Sequence, residues 1–124
     1  RKSLLSVPLD APLPKTFNIS VGNNGSSDYT ITGPDRNTTH SNANDPTINI
    51  NQGDIINFTV QAVGHPFWIK VAATTGTGDL VTTGVSGAGT DYGSVSWDTT
   101  AIATGTYYYQ CQHHSGMGGS IVVS

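Results

Sequence analysis

The chain has 124 residues, enough for one domain with its own core and too few for two. Its formal net charge is −3, with five Lys and Arg scattered along it, so there is no basic stripe for phosphates and nucleic acid is excluded as a natural partner. No apolar run approaches the roughly 20 residues that a membrane-spanning helix needs, and Leu4-Leu5 is too short for a signal-peptide core, so the chain reads as soluble and already processed.

All eight acidic residues are Asp, glycine numbers 15, Thr and Ser are abundant, and no stretch is rich in Ala, Leu, Glu and Lys. That composition predicts strands and turns. Residues 1–15 carry Pro8, Pro12 and Pro14 without periodicity and read as a tail or linker, leaving 16–124 as the domain. Phe17, Ile19 and Val21 alternate with polar neighbours, and Tyr29-Thr30-Ile31 follows the turn at Gly22-Asn23-Asn24-Gly25, which predicts the first two strands. From Gly33 to Pro46 almost nothing is apolar, predicting an exposed loop in which His40 is solvated and takes no part in a site.

Ile48 and Ile50, the turn at Asn51-Gln52-Gly53-Asp54, and then Ile56, Phe58 and Val60 form a strand, turn, strand pattern. Further on, His65, Phe67, Ile69 and Val71 share one parity and Lys70 the other, which places His65 at the mouth of the core with Lys70 outside. Residues 74–93, rich in Gly and Thr, predict a long loop with one short strand near Leu80–Thr83. Val95 and Trp97 mark another strand, and Tyr107, Tyr109 and Cys111 share the inward parity of the next, with Tyr108 outward. The count is about eight strands at sandwich-like spacing, with no helix alternation and no repeat, so the expected fold is an all-β Greek-key sandwich.

The sole cysteine, the sole methionine and two of the four histidines fall within residues 111–117, as Cys111-Gln112-His113-His114-Ser115-Gly116-Met117. A thiolate, an imidazole and a thioether, with His65 as a second imidazole, make a soft or borderline donor set suited to copper in electron transfer. A histidine beside an apolar strand is as often a satisfied structural residue as a ligand, and His65 gains weight only beside the other donors. One cysteine forms no internal disulfide, and ligation would protect a lone thiol in an oxidising compartment.

The stretch Gly105-x-Tyr107-x-Tyr109-x-Cys111-x-x-His114-x-x-Met117, closed by Ile121 and Val123, resembles the cupredoxins, the small blue copper proteins, and the likeness extends over residues 16–124. The Gly53-Asp54-x-Ile56-x-Phe58 piece is similar to the cupredoxin strand before the first ligand. The short gap from His114 to Met117 looks most like amicyanin, whereas plastocyanins carry a longer loop. The resemblance implies one type 1 copper per chain, with His65, Cys111 and His114 as a trigonal set and Met117 as a long axial ligand. Family spacing selects His114 over His113, although a loop using both would give a more tetragonal site.

Pro66 departs from the family, in which Asn commonly follows the first His and its backbone N–H donates to the cysteine sulfur. Proline has no N–H. Unless the backbone of Gln112 or His113 compensates, the resemblance implies a more electron-rich sulfur and a lower reduction potential.

The expected function is one-electron transfer to a redox partner protein by a monomeric, extracytoplasmic carrier rather than an enzyme, since no residue pattern polarises a substrate or pairs a catalytic base. Copper storage, delivery or sensing with the same ligands, and a metal-free adhesion or architectural sandwich, are the alternatives. A multicopper oxidase is disfavoured because the chain has no His-x-His pair. The sequons at Asn18, Asn24, Asn37 and Asn57 are weak support for secretion, because in a chain this rich in Asn, Ser and Thr about two would arise by chance.

Overall fold

A computed structural model describes residues 12–124, so most of the expected tail lies outside the described residues. The strands are β1 (Thr16–Asn24), β2 (Asp28–Pro34), β3 (Thr39–Asn44), β4 (Ile48–Ile50), β5 (Ile55–Gln61), β6 (Phe67–Lys70), β7 (Val85–Ser86), β8 (Tyr92–Asp98), β9 (Gly105–Cys111) and β10 (Gly118–Val123). They form a six-stranded sheet in the order β3-β2-β1-β5-β8-β7 and a four-stranded sheet in the order β4-β10-β9-β6. Both sheets are mixed, because β1 runs parallel to β5 and β10 parallel to β4. The expected all-β sandwich is therefore present, with β3 and β7 as strands the sequence pattern did not announce.

Alternation explains most of the core. Phe17, Ile19, Val21, Tyr29, Ile31, Ile56, Phe58, Val60, Val95 and Trp97 line the inner face of the larger sheet, against Ile48, Ile50, Phe67, Ile69, Tyr109, Ile121 and Val123 from the smaller one. At one end the packing is aromatic. Phe67 lies 5.1 Å from Tyr29 edge-on, 4.9 Å from Phe58 and 5.7 Å from Tyr109 in a stacked pair, the geometries that ring quadrupoles favour. Tyr107 packs against the core edge-on to Trp97, and Tyr108 is half-buried on the other face. The outer face of the larger sheet is polar; there Asn57 is half-buried, its side chain bonded to Ser96 (2.8 Å) and Asn18 (3.3 Å).

Three expectations change. The segment expected to be an exposed loop contains β3, and His40 is buried at 8% exposure with Nε2 2.8 Å from Asp35 Oδ2. Asp35 also accepts backbone N–H groups from Asn37, Thr38 and Asn49, so a satisfied polar network does the work of apolar burial. Lys70 does lie on the outer face, but it is fully buried under residues 71–80, while β6 ends there and leaves Val71 54% exposed. The short strand expected at Leu80–Thr83 is reduced to one bridge between Leu80 and Lys70, and the strand forms instead at Val85–Ser86.

Asp54 closes the far end. It accepts Arg36 through both Nε (2.9 Å) and Nη2 (2.7 Å), together with the backbone N–H groups of Lys15 and Asn51. Burial by itself would raise the Asp54 carboxyl, but the Arg36 bonds and the two N–H donors outweigh it and hold the carboxyl below its usual value. A carboxyl depressed in the folded state stabilises the fold above its unfolded pKa and loses that contribution as pH falls through the folded value. Unfolding free energy should therefore drop on acidification below about pH 4, and Asp54→Asn should flatten that dependence while lowering stability at pH 7. Urea melts of both chains between pH 2 and 8 would show it; parallel pH curves would contradict it.

Candidate metal centre

The donors sit at the aromatic end of the sandwich. His65 follows a tight turn after β5, where its N–H donates to Ala62 O (2.9 Å) and Gly64 takes a φ of +88° that few other residues adopt. Asp91 Oδ2 accepts the Gly64 N–H at 2.8 Å and fixes that turn to the start of β8. From the opposite sheet, the buried Tyr29 hydroxyl donates to His65 O (2.7 Å) and lies 3.1 Å from Pro66 O. Burial first, and the neighbouring Cys111 second, push the Tyr29 phenol far above its usual pKa, so it remains a neutral donor.

Cys111 is the last residue of β9 and lies opposite Phe67 in the β6–β9 register. The loop beyond it closes on itself, with Cys111 N–H donating to Met117 O (2.9 Å) and Met117 N–H to His114 O (3.1 Å). Gln110, 2% exposed, donates its side-chain amide to Cys111 O (3.1 Å) and His114 O (2.8 Å). β10 then returns at Gly118, where a side chain would collide with the Tyr109 carbonyl.

The outcome is a buried cluster. Cys111 Sγ lies 3.7 Å from His65 Nδ1 and 3.4 Å from His114 Nδ1, and one donor atom from each residue falls within 4.8 Å of the others. Cys111 and Met117 are fully buried, His65 is 8% exposed and His114 is half-buried. His113, whose ring centroid is 6.4 Å from that of His114, is exposed and stands outside the three-residue group. Burial, then the neighbouring His114 and His113, lower the His65 pKa, which keeps its imidazole neutral and its lone pair free at neutral pH.

Two nitrogens and one sulfur, converging at a largely buried point with a buried thioether at the end of the same loop, fit the donor chemistry of type 1 copper. Among the described residues no backbone N–H bonds to Cys111 Sγ, as expected from Pro66. The sequence pattern missed Tyr29 and Gln110. Alternation along β9 marks Gln110 as outward, and its place directly before Cys111 and the loop of donors was the one signal of its role.

A two-sheet sandwich whose cysteine ends the next-to-last strand, with one histidine on the loop after it and the other just ahead of the strand paired with it, has the cupredoxin fold. No family model and no curated protein matches the chain. Solved structures do. The chain is 25% identical to reduced rusticyanin with a TM-score of 0.56, covering 91% of its own length and 82% of that chain. Rusticyanin from Thiobacillus ferrooxidans is 22% identical with a TM-score of 0.55, over 90% of this chain and 79% of that one. Reduced auracyanin from Roseiflexus castenholzii is 15% identical with a TM-score of 0.51, over 92% of this chain and 99% of that one. Rusticyanin is itself a copper protein.

Tyr29→Phe tests how far the cluster depends on the opposite sheet. It leaves the His65 carbonyl without its buried donor, which should cost on the order of 1–3 kcal/mol in thermal or urea unfolding of the copper-free protein. A loss below about 0.5 kcal/mol would show that the hydroxyl is dispensable.

Proposed function

We propose that this chain is a type 1 copper protein that carries single electrons, with one copper per chain held by His65, Cys111, His114 and Met117. The observation that carries this reading is the convergence of His65 and His114 on the buried Cys111 sulfur from segments 46 residues apart. When bound, copper supplies reversible one-electron chemistry between Cu(I) and Cu(II). The chain's own residues do the rest. Cys111 would hold it as a thiolate, its proton going to solvent, and the two imidazoles would bind it in neutral form. Two sheets and a self-bonded loop hold the donors still, so little nuclear rearrangement accompanies a change of charge.

The half-buried His114 gives a partner protein its shortest approach to the cluster, while Cys111 and Met117 stay screened from water. Among the described residues none near the cluster combines a catalytic base with an orienting partner, so a carrier fits better than a catalyst. Among the described residues no helix is long and apolar enough to cross a membrane. A lone thiol that burial and ligation both protect suits an oxidising, extracytoplasmic setting. We place the copper domain at residues 16–124 and treat it as a monomer that meets its redox partner transiently.

Adding Cu(II) to the purified protein tests the reading directly. An intense thiolate-to-copper band, a narrow copper hyperfine splitting and reversible voltammetry are expected. Cys111→Ser and His114→Ala should abolish the band in a protein that stays folded, whereas His113→Ala should keep it. Colour retained by Cys111→Ser, or lost equally in both histidine variants, would overturn the ligand set.

Pro66→Asn should raise the potential by tens of millivolts up to about 100, because it returns a backbone donor worth roughly 0.5–1.5 kcal/mol and draws electron density from a sulfur that otherwise favours Cu(II). An unchanged or lower potential with an intact spectrum would show that another donor already serves the sulfur.

A further inference from the structure

Resting on the copper reading above, we propose that Gln112 is a positioning residue that fastens the Cys111–His114 arm to the His65 segment, and that Trp68 and a loop anchored by Lys70 hold it in place. Residue 66 lies between His65 and β6, and as proline it has no polar side chain with which to reach across to the other arm. Gln112 is gripped on three sides instead. Its N–H donates to Pro66 O (3.1 Å), its side-chain Oε1 accepts the Trp68 indole N–H (3.0 Å), and its carbonyl accepts the Gly76 N–H (2.8 Å).

Each grip is itself fixed. The Trp68 indole lies against Gly89, where a β-carbon would collide with the ring, and Gly89 N–H is bonded to Phe67 O (2.8 Å). Gly76 belongs to the segment that covers the outer face of β6. There the fully buried Lys70 ammonium donates to Thr74 O (2.6 Å) and Gly76 O (2.9 Å). The segment's far end is tied by Val71 N–H to Asp79 O (2.8 Å) and by the Thr74 hydroxyl to Asp79 Oδ2 (2.8 Å). A buried ammonium is costly unless bonded, so its position between two carbonyls of one loop is a strong constraint on that loop. The chain of contacts runs from Lys70 through Gly76 to Gln112, the residue directly after the ligand Cys111.

The test uses the full chain and copper(II). Trp68→Phe removes the indole donor and keeps a ring; Gln112→Met removes the acceptor and keeps the length. Each should speed release of copper to a chelator about three- to tenfold, the equivalent of one neutral hydrogen bond, and should shift the thiolate-to-copper band and the hyperfine splitting. The double variant should be no worse than either single one, since both remove the same bond. Lys70→Met should loosen the same arm, with faster hydrogen exchange at the Gly76 amide. Release and spectra like the wild type in both single variants would overturn the proposal, and so would additive effects in the double variant. Should Lys70→Met fail to fold, the Trp68–Gln112 cycle decides alone. A wild-type chain that develops no thiolate-to-copper band would remove the copper reading instead; amide exchange in the copper-free protein would then decide the clamp, with a protected Gly76 that Trp68→Phe exposes supporting it and an unprotected Gly76 in the wild type overturning it.

Discussion

One backbone register carries the site: Phe67 of β6 opposite Cys111 of β9. It brings the residue two places after His65 beside the cysteine, so both donor-bearing segments leave the same end of the same sheet. A strand slipped by one residue would turn its side chains to the other face. A slip of β6 would take Phe67 and Ile69 out of the core and a slip of β9 would take out Tyr109, so the packing that stabilises the sandwich also enforces the geometry of the donors. Phe67 sits where the two requirements meet, touching Tyr29, Phe58 and Tyr109 on its inner side.

Hydrophobic packing sets the strands but does not orient a six-residue loop, and polar ties complete the site. Tyr29, Gln110 and Gln112 each bond to backbone carbonyls of, or directly beside, the clustered donor residues, and Tyr29 and Gln110 are almost wholly buried, where an unmade hydrogen bond is expensive. Such ties make alternative loop conformations costly. Electron transfer benefits from that, because a donor set that relaxes with each change of charge slows the transfer.

The same physics appears away from the cluster. His40 and Asp35 shelter in a network of backbone N–H groups, Asp54 gathers Arg36 and two amides, and Lys70 anchors the loop over β6. All are polar or charged residues inside the protein, and each is accompanied by the partners that make burial tolerable.

Local pattern determined much of this protein. Period-two alternation placed the principal strands and the inward Phe58, Phe67, Tyr109 and Trp97, because a half-buried strand must show its apolar side to the core whatever lies opposite. The crowding of Cys111, His114 and Met117 into one short loop was equally legible, since donors close in sequence are close in space. Tertiary structure decided the rest. That His65 reaches the cysteine sulfur depends on pairing strands far apart in the chain, and that His40 and Lys70 are buried depends on how the adjoining loops fold back, setting Asp35 against His40 and the carbonyls of Thr74 and Gly76 against Lys70. Strand partners are non-local, and the return of a loop onto a buried polar side chain follows no periodicity: neither kind of contact has a fixed spacing, so no period in the sequence records it.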